Sequence, residues 1–286
     1  MPVFLAGLSA SLLGCADYLA GLGSRRTPHR GAALSLAWMA SIVGVVVASG
    51  YLLVFPPEAF TREDLFWSLG AGLFAAMARP LLYMSMEHGP IVVAAPTIGV
   101  VSLVVPAVIG PATGSSLSGL EVVGVLVAFP AVVLIVAEGR LPSWGTFRAS
   151  PVFVMAAATG VLLGLMSLCL AQVAPEAGAA PALVTQIQAV LLIPLIARGF
   201  GGLAPMSKDL RRFALVVGII DIAAIIASTI AFQRGNVAVV AAIMGFAPAV
   251  TITIAWKVDG EHVRGWQWLG AALAVVSILL FALAAS

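Results

Sequence analysis

Long apolar stretches separated by short polar breaks organise the whole chain. Ten stretches can be cut out, at 2–22, 31–54, 65–87, 91–110, 119–137, 151–172, 181–199, 212–233, 235–257 and 265–285. Each approaches the ~20 apolar residues that a helix needs to cross a ~30 Å hydrocarbon core. The breaks carry turn chemistry: Ser24-Arg25-Arg26-Thr27-Pro28, Phe55-Pro56-Pro57, His88-Gly89-Pro90, Gly110-Pro111 and Asp259-Gly260. Lipid leaves a free backbone group unsatisfied, so helices are the natural reading. A β-barrel would show alternating segments of ~10 residues, and the run 122–137 does not alternate. The pattern predicts an all-α integral membrane protein with ten transmembrane helices.

Composition strengthens that picture. Of 286 residues, 62% are hydrophobic and 9% charged, against roughly 45–50% and about 25% in soluble domains. So little charge cannot cover a water-facing surface, which excludes a soluble enzyme, a disordered chain and a nucleic-acid binder. The net charge of +2 implies no polyanionic partner. Cys15 and Cys169 lie in apolar runs and read as small hydrophobes rather than a disulfide framework. Met1 opens an apolar run with no basic segment before it, so that run reads as a retained span rather than a cleaved signal.

The basic residues set an orientation. Loops one, three, five, seven and nine hold Arg25, Arg26, Arg30, Arg140, Arg148, Arg198, Lys208, Arg211, Arg212, Lys257 and Arg264; the even loops hold only Arg62 and Arg234. By the positive-inside rule the odd loops are cytoplasmic and both termini extracytoplasmic.

The chain also repeats itself. Sliding it by 146 residues brings 83–137 onto 229–283 without a gap, with Gly89 on Gly235, Gly99 on Gly245, Gly119 on Gly265 and Gly124 on Gly270. A shift of 150 brings Ala10–Gly14 of the first helix onto Gly160–Gly164 of the sixth. Five helices per half is an odd number, so the second half enters the membrane in the opposite sense. Such inverted repeats are a common build for secondary transporters. The expected units are 1–138, a cytoplasmic linker at 139–150, and 151–286.

The repeat carries a recognisable pattern. Tyr83-Met84-Ser85-Met86-Glu87-His88-Gly89-Pro90 precedes an apolar helix with prolines, and Gly119-Leu120-Glu121-Val122-Val123-Gly124 opens a last one. The second half has Ala231-Phe232-Gln233-Arg234-Gly235-Asn236, then Gly245-Phe246-Ala247-Pro248, then Asp259-Gly260-Glu261-His262 and Gly265-Trp266-Gln267-Trp268-Leu269-Gly270. This resembles the EamA family of the drug/metabolite transporter superfamily over nearly the whole chain. The segment Ala16-Asp17-Tyr18-Leu19-Ala20-Gly21-Leu22-Gly23-Ser24-Arg25-Arg26 is similar to a common bacterial subgroup. Glu261 matches the acidic residue usual before helix ten, whereas Ser115-Ser116 replaces it before helix five. The resemblance implies two five-helix halves around a central cavity, a bacterial-type inner membrane, and export or exchange of small metabolites such as amino acids or drugs. It does not fix the substrate.

Three ionisable residues fall inside spans: Asp17, Arg79 and Asp221. Each costs about 2.5–3.5 kcal/mol at the centre of a span on insertion scales, so each is a site candidate. At about 1.5 Å per residue, Arg79 lies ~12 Å and Asp221 ~13 Å from the cytoplasmic ends of helices three and eight. Opposite charges from repeat partners thus reach one level. They are expected either to pair as a gate closing the cytoplasmic side of the cavity, or to lock the bundle as a static pair. Asp17 reads as a proton-coupling carboxylate or an anchor for a substrate ammonium; the alternative is a snorkelling or capping acid near Arg25 and Arg26.

Polar and aromatic candidates for the pathway are Gln186 and Gln188 in helix seven, Trp38 in helix two and Tyr83 in helix three. Amides and rings could hold a small zwitterion or planar metabolite in an apolar cavity. The two glutamines are two residues apart and do not face one spot. Pro80, Pro96, Pro106, Pro130, Pro194 and Pro248 fall inside apolar runs, each removing a backbone bond. Pro96 and Pro248, expected mid-helix in repeat partners, are the hinge candidates. The small pairs Ala10/Gly14 and Gly160/Gly164 allow close helix crossing.

His29, His88 and His262 are expected in loops, and no cluster has metal-ligand spacing. No glycine-rich phosphate loop ends in Gly-Lys-Ser/Thr, so no cofactor and no ATP drive is expected. The reading is a secondary transporter working by alternating access between two halves, with protons the default coupling ion. A lipid flippase shares the fold. An intramembrane enzyme would need a nucleophile–base pair or metal ligands at depth, which the chain does not display. Expected partners are a small-molecule substrate, membrane lipid and, across an even-handed apolar surface, a second copy in a homodimer.

Overall fold

Polar caps, rather than the ends of apolar runs, set the starts of two helices in the computed structural model. The structure describes residues 1–27, 29, 31–88, 91–109, 118–136, 151–235, 240, 243–245, 247–260 and 265–284. Among these the chain forms ten α-helices and no strand: α1 (Pro2–Arg25), α2 (Ala32–Val54), α3 (Arg62–His88), α4 (Ile91–Ile109), α5 (Gly119–Val136), α6 (Pro151–Leu170), α7 (Ala180–Gly199), α8 (Lys208–Arg234), α9 (Ala247–Asp259) and α10 (Gly265–Ala284). Helices α1, α2, α3, α6, α7 and α8 are long and apolar enough to cross a membrane. The protein is therefore an all-helical, multi-pass membrane protein.

Helix α3 begins three residues before its apolar run because Thr61 and Asp64 form a reciprocal cap. Thr61 Oγ1 accepts from the Asp64 amide at 3.1 Å, and Asp64 Oδ2 accepts from the Thr61 amide at 2.9 Å. Helix α8 begins at Lys208, ahead of the expected 212, because Ser207 Oγ accepts from the Leu210 amide at 3.1 Å. Helices α3 and α8 both have 27 residues, and their bounds are offset by the 146 residues of the sequence repeat.

Two expectations change. Helix α9 starts at Ala247, not 235, after a turn at Gly245. Pro248 is consequently its second residue rather than a mid-helix break, a place where the missing proline N–H costs no helical bond. Pro96 does lie within α4. His88 is the last residue of α3 rather than part of a loop. The linker 139–150, Ser115, Ser116, Glu261 and His262 fall outside the described residues.

Alanine dominates the interior and large apolar residues the exterior, although Tyr83, Leu34, Leu36, Ile193, Leu210 and Ile222 are also buried. Ala6, Ala16, Ala20, Ala37, Ala40, Ala76 and Ala156 are fully buried, whereas Leu53, Phe66, Leu126 and Leu191 point outward. That inversion suits lipid, which is as apolar as leucine and gives large side chains no reason to turn inward; close backbone approach drives packing instead. A Cβ on Gly14 of α1 would stand 2.6 Å from the Ala247 carbonyl of α9, and one on Gly164 of α6 would stand 2.7 Å from Val105 Cβ of α4.

Packing sorts the helices into two groups that ignore the halves of the chain. Helix α1 lies against α8 and α9, and α2 against α8; in the same way α6 lies against α3 and α4, and α7 against α3. Side chains stitch each group internally. Ser9 Oγ donates to the Ala224 carbonyl at 2.7 Å and Thr251 Oγ1 to the Gly14 carbonyl at 3.0 Å in the first. Gln188 Nε2 donates to the Leu69 carbonyl at 3.0 Å, and the Ala174 amide to Asp64 Oδ1 at 2.9 Å, in the second. Helices α2 and α7, α4 and α9, and α3 with both α1 and α2 meet across the boundary, while α5 and α10, outside both groups, pack against each other.

Candidate functional site

A cavity of about 190 Å³ lies between the two groups, lined by residues of α1, α3, α4, α6, α7 and α8 and of the segment leading into α9. Its walls are mainly apolar, among them Leu13, Leu103, Met166 and Phe232, with the hydroxyls of Ser167, Thr185, Ser228 and Thr229 spaced between them. Asp17, Arg79 and Asp221 all face it. Equivalent positions of the sequence repeat recur in the lining: Asp17 with Ser167, Ala75 with Asp221, Arg79 with Ile225, and Tyr83 with Thr229. The lining thus draws on matching positions of the sequence repeat that differ in charge.

Arg79 sits at the centre of the polar contacts. Its Nη2 lies 3.1 Å from Asp221 Oδ2, and both side chains are over nine-tenths buried. Its Nη1 donates to Ser41 Oγ at 2.8 Å and to Gln186 Oε1 at 2.7 Å. Gln186 is fully buried on α7, in Arg79's own packing group. Asp221 and Ser41 belong to α8 and α2, in the other group. The guanidinium is therefore anchored on one side and reaches across the boundary on the other. Its planar fork of donors suits several acceptors at fixed angles, which a lysine could not match.

The remaining candidates separate. Tyr83 is buried and lines the cavity. Gln186 meets the cavity through Arg79 and is not itself among the lining residues. Gln188, which bonds the Leu69 carbonyl, and Trp38, whose Nε1 donates to the Val190 carbonyl at 3.0 Å, hold helix contacts and do not line the cavity either. Asp17 faces the cavity, whereas Arg25, its alternative partner, lies 3.6 Å from Asp259. Asp259 also accepts from Tyr18 at 3.0 Å. Among the described residues no group of three or more His, Cys, Asp or Glu is placed to hold a metal ion.

Sequence reasoning passed over Ser41 and the cavity hydroxyls. A signal existed for some: Ser167 and Thr229 are the repeat equivalents of Asp17 and Tyr83. Ser41 had none, since serines in such spans commonly bond the carbonyl one turn back, as Ser41 itself does to Ala37 at 2.9 Å.

The sequence model of the EamA-like transporter family matches residues 147–283. That stretch is thus similar to the EamA-like transporter family, a family of membrane transporters, in line with the resemblance. No curated protein matches the chain by sequence. A crystal structure of a protein with 20% identity superposes with a TM-score of 0.68, covering 97% of this chain and 97% of that one. At that identity the likeness shows the fold alone.

Proposed function

We propose that this protein is a secondary-active transporter that moves small metabolites across a bacterial-type inner membrane by alternating access. The observation that carries the reading is the Arg79–Asp221 ion pair, which spans two packing groups at a largely apolar cavity. A buried pair of this kind contributes little to stability, because desolvation offsets the attraction. It suits a contact that forms in one state and opens in another.

The reading includes ten spans in two inverted repeats. The equal lengths of α3 and α8, the recurrence of helix pairings and the equivalent cavity positions support it. The moving bodies are then the two mixed groups, α1–α2–α8–α9 and α3–α4–α6–α7, rather than the two halves of the chain. The Arg79 contacts to Asp221 and Ser41 close the cytoplasmic side. Export as the direction, protons as the coupling ion and extracytoplasmic termini complete the proposal, resting on the resemblance and on the distribution of basic residues.

Charge movement across proteoliposomes tests it. Pools of amino acids, nucleosides and organic cations are supplied with and without a pH gradient. A pool-specific current or counterflow that changes with the gradient is expected. Absence of any flux, including electroneutral exchange of labelled metabolites, would overturn it.

A further inference from the structure

We infer that the cavity receives a monovalent organic cation, of the primary-amine class, with an apolar body about the size of one ring, and that Asp17 holds its charge. The inference deepens the transporter reading and rests on it for cargo movement, not for binding itself.

Counting charges in the cavity points to the class. Among the described lining residues Arg79 is the cation, and its Nη1 and Nη2 are taken up by Ser41, Gln186 and Asp221. Asp17 also lines the cavity, and among the described residues it makes no hydrogen bond or ion pair. Its repeat equivalent is the neutral Ser167, and that of Arg79 is the apolar Ile225. With Arg79 and Asp221 cancelling, Asp17 is the carboxyl left without a counter-charge among the described lining residues. An ionised carboxylate among apolar walls is costly unless a cation accompanies it.

The same arrangement discriminates against a carboxylate on the cargo. An acid or amino acid would compete with Asp221 for Arg79, and any loss of that contact leaves the aspartate buried without its partner, which is strongly unfavourable. An amine meets a carboxylate that is already free. Size narrows the class further. A dry cavity of about 150 Å³ admits benzene, and sites for drug-sized molecules start at about 300 Å³. The 190 Å³ found here takes one ring with a short arm. Met166 and Phe232 offer the polarisable and aromatic contacts that such a body prefers.

Binding to the full chain in lipid nanodiscs, measured by calorimetry, tests the assignment with three probes of one shape: phenethylamine, 2-phenylethanol and phenylalanine. The amine is expected to bind about tenfold to a hundredfold more tightly than the alcohol, the range of one charged hydrogen bond, and more tightly than the amino acid. Asp17→Asn should reduce the amine to the alcohol's affinity while leaving the alcohol unchanged, which shows that the cavity is intact. Asp17→Glu should restore the preference. Equal binding of amine and alcohol, tighter binding of phenylalanine, no binding of the amine, or an unchanged amine affinity in Asp17→Asn would each overturn it. Flux assays separate this from the wider reading. Amine binding without flux of any cargo would leave the site and remove the transporter; flux of another cargo without amine binding would do the reverse.

Discussion

Arg79 of α3 and Asp221 of α8 lie 3.1 Å apart, and the helices that carry them belong to different packing groups. Removing either charge alone strands the other in a buried setting. Arg79→Gln and Asp221→Asn are each expected to cost about 3–5 kcal/mol, read as a marked fall in melting temperature in detergent.

Removing both charges separates closure from stability. Arg79→Met combined with Asp221→Leu should be neutral or stabilising by about 1–4 kcal/mol, and should melt at or above the wild-type temperature. Transport should nonetheless be lost. A double variant that melts normally and still transports would show the pair to be a static lock.

The glycine contacts make a sharper stability prediction. Gly14→Ala places a Cβ 2.6 Å from the Ala247 carbonyl and from Val250 Cβ. Overpacking of this kind costs about 1–3 kcal/mol. Gly7, on the same helix, has nothing within 4 Å of the added carbon. Gly7→Ala should be neutral, or stabilising by about 0.5–1 kcal/mol from helix propensity. Thermal unfolding of the two variants side by side checks the difference.

Asp64 ties the start of α3 to the segment between α6 and α7. It accepts from the Thr61 amide and hydroxyl and from the Ala174 amide. Asp64→Ala removes a helix cap, worth about 0.5–2 kcal/mol, and leaves a part-buried amide without its acceptor. The expected result is faster proteolysis of the loop around 171–179 and a lower melting temperature, with cargo affinity unchanged.

The membrane character and the three ionisable residues at the cavity were legible because each is a local signal: apolar length for the helices, an ionisable group inside it for the site. Arg79 and Asp221 could even be placed at one depth by counting residues. Helix rotation was not legible. Trp38 and Gln188 differ from Tyr83 only in the face they occupy, and in helices apolar all round polarity marks no inner face. Pro248 was misplaced because the apolar run continues through the turn at Gly245, which apolar length alone does not register. The mixed packing groups were hidden for a related reason. Repeat matching pairs helices by sequence, whereas Gly14 against α9 and Gly164 against α4 decide which helices pack together.

The central claim is that two mixed groups move against each other and open the Arg79–Asp221 contact. Pulsed electron resonance distances between spin labels test it most directly, after Cys15 and Cys169 are replaced by alanine. Labels at His88 and Lys208, at the ends of α3 and α8 assigned to the cytoplasmic side, report across the groups; labels at Arg25 and Lys208 report within one. The account predicts two distances for the first pair, with populations that shift when cargo is added, and one unchanged distance for the second. A single, cargo-insensitive distance between 88 and 208 would contradict it.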